Sequence, residues 1–197
     1  MCRTCGLTSP LTKPCSRRPL VEARARGRRV LGLDPGSRFT GYGVVERQGS
    51  RCLHIAHGRI IPPKGQPLAE RLAFLARGIE GVIEEHRPET VGCEGVFHGL
   101  NPRSLIVLAQ ARGALLSAIG RAGLEVIEFS PSQIKAAVTG SGRADKDQVS
   151  YMVKLVLGLG DQKVSADAGD ALATAICAAA HHRFERLATP GKSAVNR

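Results

Sequence analysis

An α/β fold, with a five-stranded mixed sheet and helices on both faces, is predicted by three features of this sequence. Three short apolar runs separated by glycine-containing turns come first, followed by helix, strand, helix, strand and further helices. Each of the two later strands follows a helical segment, the arrangement that joins parallel strands through right-handed crossovers. The length of 197 residues suits one domain with short tails.

Val30–Asp34, Gly41–Arg47 and Cys52–Ile61 read as an antiparallel meander. Pro62-Pro63-Lys64-Gly65 breaks it. Leu68, Leu72, Leu75, Ile79, Val82 and Ile83 then recur at steps of three and four, which predicts an amphipathic helix over 67–86, stopped by Pro88. Thr90–Glu94 is a short apolar run ending in an acid, the fourth strand. Asn101-Pro102 combines a capping side chain with proline at the first helical position. The helix it starts carries Leu105, Leu108, Arg112, Leu115 and Ile119 to Arg121, and Gly123 closes it. Leu124–Phe129 is the fifth strand, and Ser130-Pro131 opens a short helix through Val138. After a flexible Gly140-Ser141-Gly142 loop, 144–158 forms a helix with Val149, Met152, Val153 and Val156 inward. Ser165 or Asp167 caps a last helix running to about His182.

The net charge of +11 is unevenly spread. Residues 1–29 carry eight Lys/Arg against Glu22, and residues 181–197 carry four against Glu185. The body between them holds sixteen against fifteen, so the basic excess speaks for loose polyanion attraction by the tails rather than for a built groove. The expected organisation is a basic, disordered extension at 1–29, a domain at 30–187 and a frayed tail at 188–197. Cys2, Cys5 and Cys15 lack a nearby second ligand pair for zinc and read as reduced thiols of a cytoplasmic protein. A start at Val21 or Val30 in place of Met1 is a further hypothesis, which mass spectrometry of the native N-terminus decides. No run approaches the roughly 18–20 apolar residues of a membrane span, and the N-terminus lacks the apolar core of a secretory signal.

The chemistry lies in four acids. Asp34 ends the first strand beside the glycine-rich return Gly41-Tyr42-Gly43, and Glu94 ends the fourth. If those strands lie side by side, both carboxylates emerge at one sheet edge. Asp167 and Asp170 are three apart at the start of the last helix, on one face. Each acid alone also reads as a cap, a dipole partner or a surface charge. Together they form an oxygen-rich set suited to two divalent cations and phosphodiester hydrolysis.

LGLDPGSRFTGYGVV at 31–45, CEGVFHGLNPRS at 93–104, QARG at 110–113, GSGRADKDQV at 140–149 and ADAGDALA at 166–173 occur in this order. Over Val30 to His182 the chain resembles the RuvC-type Holliday-junction resolvases. The resemblance implies a ribonuclease-H-like fold and a homodimer. It also implies paired nicking of four-way DNA junctions with two Mg²⁺ per subunit, Mn²⁺ substituting, and partnership with the RuvA–RuvB branch-migration complex. Asp34, Glu94, Asp167 and Asp170 fall on the family's metal-binding catalytic acids. Phe97 falls on the aromatic that stacks on a junction base, and Lys135 and Lys146 on basic positions that contact DNA. Arg112 is either a structural partner or a DNA contact. The chain departs from the family pattern at His98, Gly99 and Leu100, the last standing where a basic residue is common, and at Gly169, where alanine is typical.

Two other functions share parts of this pattern. Actin-like and sugar kinases use an Asp-x-Gly turn for ATP phosphates, but need a second such domain and more chain than is present here. A different ribonuclease-H-like nuclease, acting for example on an RNA–DNA hybrid, would use the same acids. The Phe97 segment and the full set of five blocks argue against it.

Overall fold

A computed structural model describes residues 27–95 and 101–188. The chain runs β1 (Arg28–Asp34), β2 (Thr40–Gln48), β3 (Arg51–Ile60), α1 (Leu68–His86), β4 (Thr90–Glu94), α2 (Pro102–Arg121), β5 (Glu125–Phe129), α3 (Pro131–Thr139), α4 (Lys146–Leu157) and α5 (Ala166–Ala188). The sheet has five strands in the order β3-β2-β1-β4-β5. The first three pair antiparallel, and β4 and β5 join parallel, so β1 and β4 are neighbours, the condition on which the meeting of Asp34 and Glu94 depended.

Strand alternation divides two cores. Leu31, Leu33, Val44, Val91 and Cys93 face α1 and α2, meeting Leu75, Ile79, Leu115 and Ile119. Val30, Val45 and Phe129 face α5, which is packed in turn under α3 and α4. Burial of these apolar faces is the main source of stability.

Helix α5 lies unusually close to the sheet because of one row of glycines. Gly32 pairs with Gly43 on one side and Gly92 on the other. A Cβ on Gly32 would sit 2.1 Å from the Ala171 carbonyl oxygen, and one on Gly92 2.8 Å from the Ala178 methyl group. The helix answers with Ala168, Ala171, Ala175, Ala178 and Ala179, all buried. Glycine facing alanine lets helix backbone meet sheet backbone, which brings the start of α5 down to the strand ends.

Several boundaries differ from the sequence reading. Strand β1 begins at Arg28 rather than Val30, because Arg29 is tied to Glu46 (Nε to Oε2, 3.1 Å) and to the His86 carbonyl (2.9 Å). Val156 is 40% exposed and not inward; Leu157 takes its place, since 149, 153 and 157 form one i, i+4 row. In α2 the buried row starts only at Ala111, leaving Leu105 and Leu108 half-buried and Ile106 59% exposed. Helix α5 continues past His182 to Ala188.

Candidate active site

Asp34 and Glu94 occupy the ends of adjacent parallel strands. The last paired row is Leu33 with Cys93, so the two acids follow in the next row, on the α5 face. Past Asp34 the chain must reverse at once into β2. A Cβ on Gly36 would lie 2.3 Å from the Phe39 carbonyl oxygen, so only glycine fits that turn. Thr40 Oγ1 donates to the Gly36 carbonyl (3.3 Å), and the Arg71 guanidinium of α1 donates to the Ser37 carbonyl.

Glu94 is anchored through its backbone. Arg112, only 8% exposed, donates from Nη1 to the Glu94 carbonyl (2.6 Å) and to Cys93 Sγ (2.8 Å). Its Nη2 lies 2.7 Å from Glu128 Oε1, an ion pair without hydrogen-bond alignment. The sequence left Arg112 open between scaffold and DNA contact; its burial and partners make it scaffold.

Asp167 and Asp170 lie on the first turns of α5. Ser165 caps that helix, its Oγ accepting from the Ala168 amide (3.4 Å) and its carbonyl from Gly169 (2.9 Å). Asp167 is thereby spared capping duty. A Cβ on Gly41 would come 2.2 Å from the Asp167 carbonyl oxygen, which records how closely α5 starts over β2.

The four acids share one electrostatic field. Burial pushes the Asp34 carboxyl up to about 7, with Asp170, Glu94 and Asp167 adding to the rise and Lys146 opposing it. Glu94 is also raised, first by burial and then by Asp170, while Lys146 and Lys135 oppose. Lys146 Nζ lies 2.9 Å from Asp170 Oδ2, and Arg59 Nη1 3.5 Å from Asp167 Oδ2. The hydrogen bond to Asp170, followed by its charge, raises the Lys146 pKa. Among the described residues, no three acid, histidine or cysteine side chains surround a common point closely enough to hold an ion.

Beside the acids opens a cleft of ≈ 220 Å³, with Glu94, Asp170, Lys135 and Lys146 at its polar side and Ile134 and Val149 in its apolar lining. Lys146 is placed by α4, whose N-terminus is fixed by the Asp145–Gln148 capping box. Lys135 projects from α3, started by the Ser130–Gln133 box. Six of the seven residues singled out by sequence thus meet at one end of the sheet. The seventh, Phe97, lies outside the described residues, as do His98, Gly99 and Leu100. Sequence reasoning passed over Arg59 and Arg71, which look like ordinary polar positions of a strand and a helix.

A family model for crossover junction endodeoxyribonuclease RuvC matches residues 30–178. A protein of that name from Hyphomonas neptunium is 49% identical over 154 residues, 78% of this chain and 91% of its own. Another, from Ectopseudomonas mendocina, is 51% identical over 154 residues, 78% of this chain and 87% of its own. Thermus thermophilus RuvC, solved in complex with Holliday junction substrate, is similar in structure with a TM-score of 0.76. It is 31% identical, with 80% of this chain and 96% of that one covered.

Proposed function

The chain belongs to the RuvC family of crossover junction endodeoxyribonucleases, and from that membership we propose that it resolves Holliday junctions in recombination and repair. It nicks two strands of like polarity, leaving 5′-phosphate and 3′-hydroxyl ends that can be ligated. The fold is ribonuclease-H-like. The observation that carries this reading is the gathering of Asp34, Glu94, Asp167 and Asp170 on one face at one sheet end, with Lys135 and Lys146 beside them.

Carboxylates fit a hard divalent cation, and Asp34 and Glu94 are raised first by burial and then by neighbouring acids, a cost that a bound cation would offset. Asp34, Glu94, Asp167 and Asp170 would hold two Mg²⁺ per subunit, with Mn²⁺ as substitute. Bound there, the ions supply an activated water and stabilise the leaving oxygen. The residues do the rest. Glu94 stays aimed because Arg112 grips its carbonyl, and Asp34 because Arg71 and Gly36 shape its turn. Lys146, held protonated by Asp170, stands ready to meet a backbone phosphate, as does Lys135 across the cleft. Phe97, three residues after Glu94, stacks on an unpaired base in this reading.

A homodimer would present two equivalent sites to the near two-fold junction, one for each cut strand. We assign the protein to the cytoplasm and to work beside RuvA–RuvB. Among the described residues no helix is long and apolar enough to cross a membrane. Residues 1–26 are read as a basic appendage to a nuclease domain that takes in Arg28 and Arg29 of β1 and runs through α5 to Ala188, with 189–197 as tail.

The test is a set of four single amide replacements: Asp34→Asn, Glu94→Gln, Asp167→Asn and Asp170→Asn. Each should keep junction binding in a gel-shift assay and lose Mg²⁺-dependent cleavage. A variant that cuts as well as wild type removes its acid from the site. Phe97→Ala should bind junctions and cleave them poorly, and unchanged cleavage would return Phe97 to a packing role.

A further inference from the structure

Arg59 stands on the acids' face of the sheet only because of an irregularity in the strand pairing. In the β2–β3 ladder, Val44 faces Ala56 while Val45 faces His54, so Ile55 has no opposite number. That bulge reverses the alternation of β3 from this point on. Before it, Cys52 and His54 point to the α5 side; after it, His57 and Arg59 do, with Arg59 opposite Gly41. Had the pairing continued one-to-one through Ile55, Arg59 would fall opposite Thr40 and project from the other face, away from Asp167.

The side chain is held loosely in place. Its guanidinium lies over the Phe39 ring, 5.6 Å from the centroid, and its Nη1 is 3.5 Å from Asp167 Oδ2. A tight charge-assisted hydrogen bond is about 2.7–2.9 Å, the length that Lys146 achieves with Asp170. Arg59 is 39% exposed, so the pair is wet and weak, and the guanidinium has further donors beyond the one turned to Asp167.

From this geometry we infer that Arg59 is an exchangeable counter-ion, pairing with Asp167 in the metal-free protein and with a DNA backbone phosphate once a divalent cation takes that carboxylate. The inference rests on the metal-dependent reading of the site given above. A dication on Asp167 cancels the attraction that holds Arg59 and repels it. The planar fork then suits a phosphodiester, the one anion that the reaction brings to this end of the sheet. The Phe39 ring stays within reach of the guanidinium in either pairing. Arg59 thus competes with the metal for Asp167 in the free protein and draws the substrate once metal is bound.

Two measurements on the full chain test this, using Arg59→Ala and Arg59→Gln, with Arg59→Lys to restore charge without the fork. First, Mn²⁺ is titrated into DNA-free protein and free Mn²⁺ is read by its paramagnetic resonance signal. The charge-removing variants should bind Mn²⁺ several-fold more tightly than wild type. Second, binding of a labelled four-way junction is measured by anisotropy in Ca²⁺ across about 50–300 mM salt. Loss of one phosphate contact should reduce the log–log salt slope by about 0.9, with Arg59→Lys in between. Wild-type Mn²⁺ affinity or an unchanged salt slope in both charge-removing variants would overturn the inference. If the wild type itself binds no Mn²⁺, the metal-dependent reading fails, not the role of Arg59 alone.

Discussion

Replacing Asp34 by asparagine should make the metal-free protein more stable while abolishing its cleavage. Asp34 is buried beside three other acids and its carboxyl is raised from 3.8 to about 7. The folded chain therefore binds more protons than the unfolded one between those two values. Stability attached to the protonated form is fully present below the unfolded pKa and is lost as pH rises through the folded one. At about 1.4 kcal/mol per unit, the shift corresponds to a penalty of roughly 4 kcal/mol at about pH 8 and under roughly 2 kcal/mol at about pH 5. Asparagine fills the same volume without charge and escapes that penalty. The assay is urea unfolding in chelator at both pH values, with cleavage measured in parallel. Asp34→Asn should be more stable than wild type at pH 8, by a margin that narrows at pH 5, and Mg²⁺ should stabilise the wild type more than the variant. Equal stability at both pH values would show that burial, with the neighbouring acids, does not raise the Asp34 carboxyl as described.

Gly32→Ala should cost about 3 kcal/mol or more, since its Cβ would fall 2.1 Å from the Ala171 carbonyl oxygen, and cleavage should fail as α5 lifts Asp167 and Asp170 away; chemical denaturation and cleavage assays check both. Gly169→Ala should instead stabilise by about 0.5–1 kcal/mol with cleavage retained, because the new methyl meets only Val164, at an ordinary 3.8 Å; loss of stability would mean the start of α5 is tighter than described. Deleting residues 1–26, which leaves the Gly27–Arg29 contacts intact, should weaken non-specific duplex binding and its salt dependence while sparing junction cleavage. Binding isotherms at two salt concentrations decide that point.

The acids were legible because each sits where a pattern ends: Asp34 and Glu94 close apolar runs, and Asp167 and Asp170 share a helix face. Their meeting was not, since it depends on strand register. The row Gly43-Gly32-Gly92 that draws α5 onto the sheet exists only once the strands are aligned, and one sequence does not align them. The role of Ser165 as cap, which leaves Asp167 available, was one of two choices at sequence level and needed the hydrogen bond to the Ala168 amide to decide it. Arg112 was ambiguous because burial of an arginine is invisible in local pattern. Arg59 was missed for a sharper reason: the bulge at Ile55 reverses the alternation from which its facing would be read. Val156 was misplaced by counting one apolar residue too many into the inner row of α4.

The most direct test of the account is the cut pattern on a mobile four-way junction labelled in turn on each strand. Wild type with Mg²⁺ should nick two strands of like polarity at symmetric positions, yield ends that ligase seals, and leave linear duplex of the same sequence intact. Chelator or Asp34→Asn should remove both nicks. Cleavage of linear duplex with equal efficiency, or paired nicks surviving in Asp34→Asn, would contradict it.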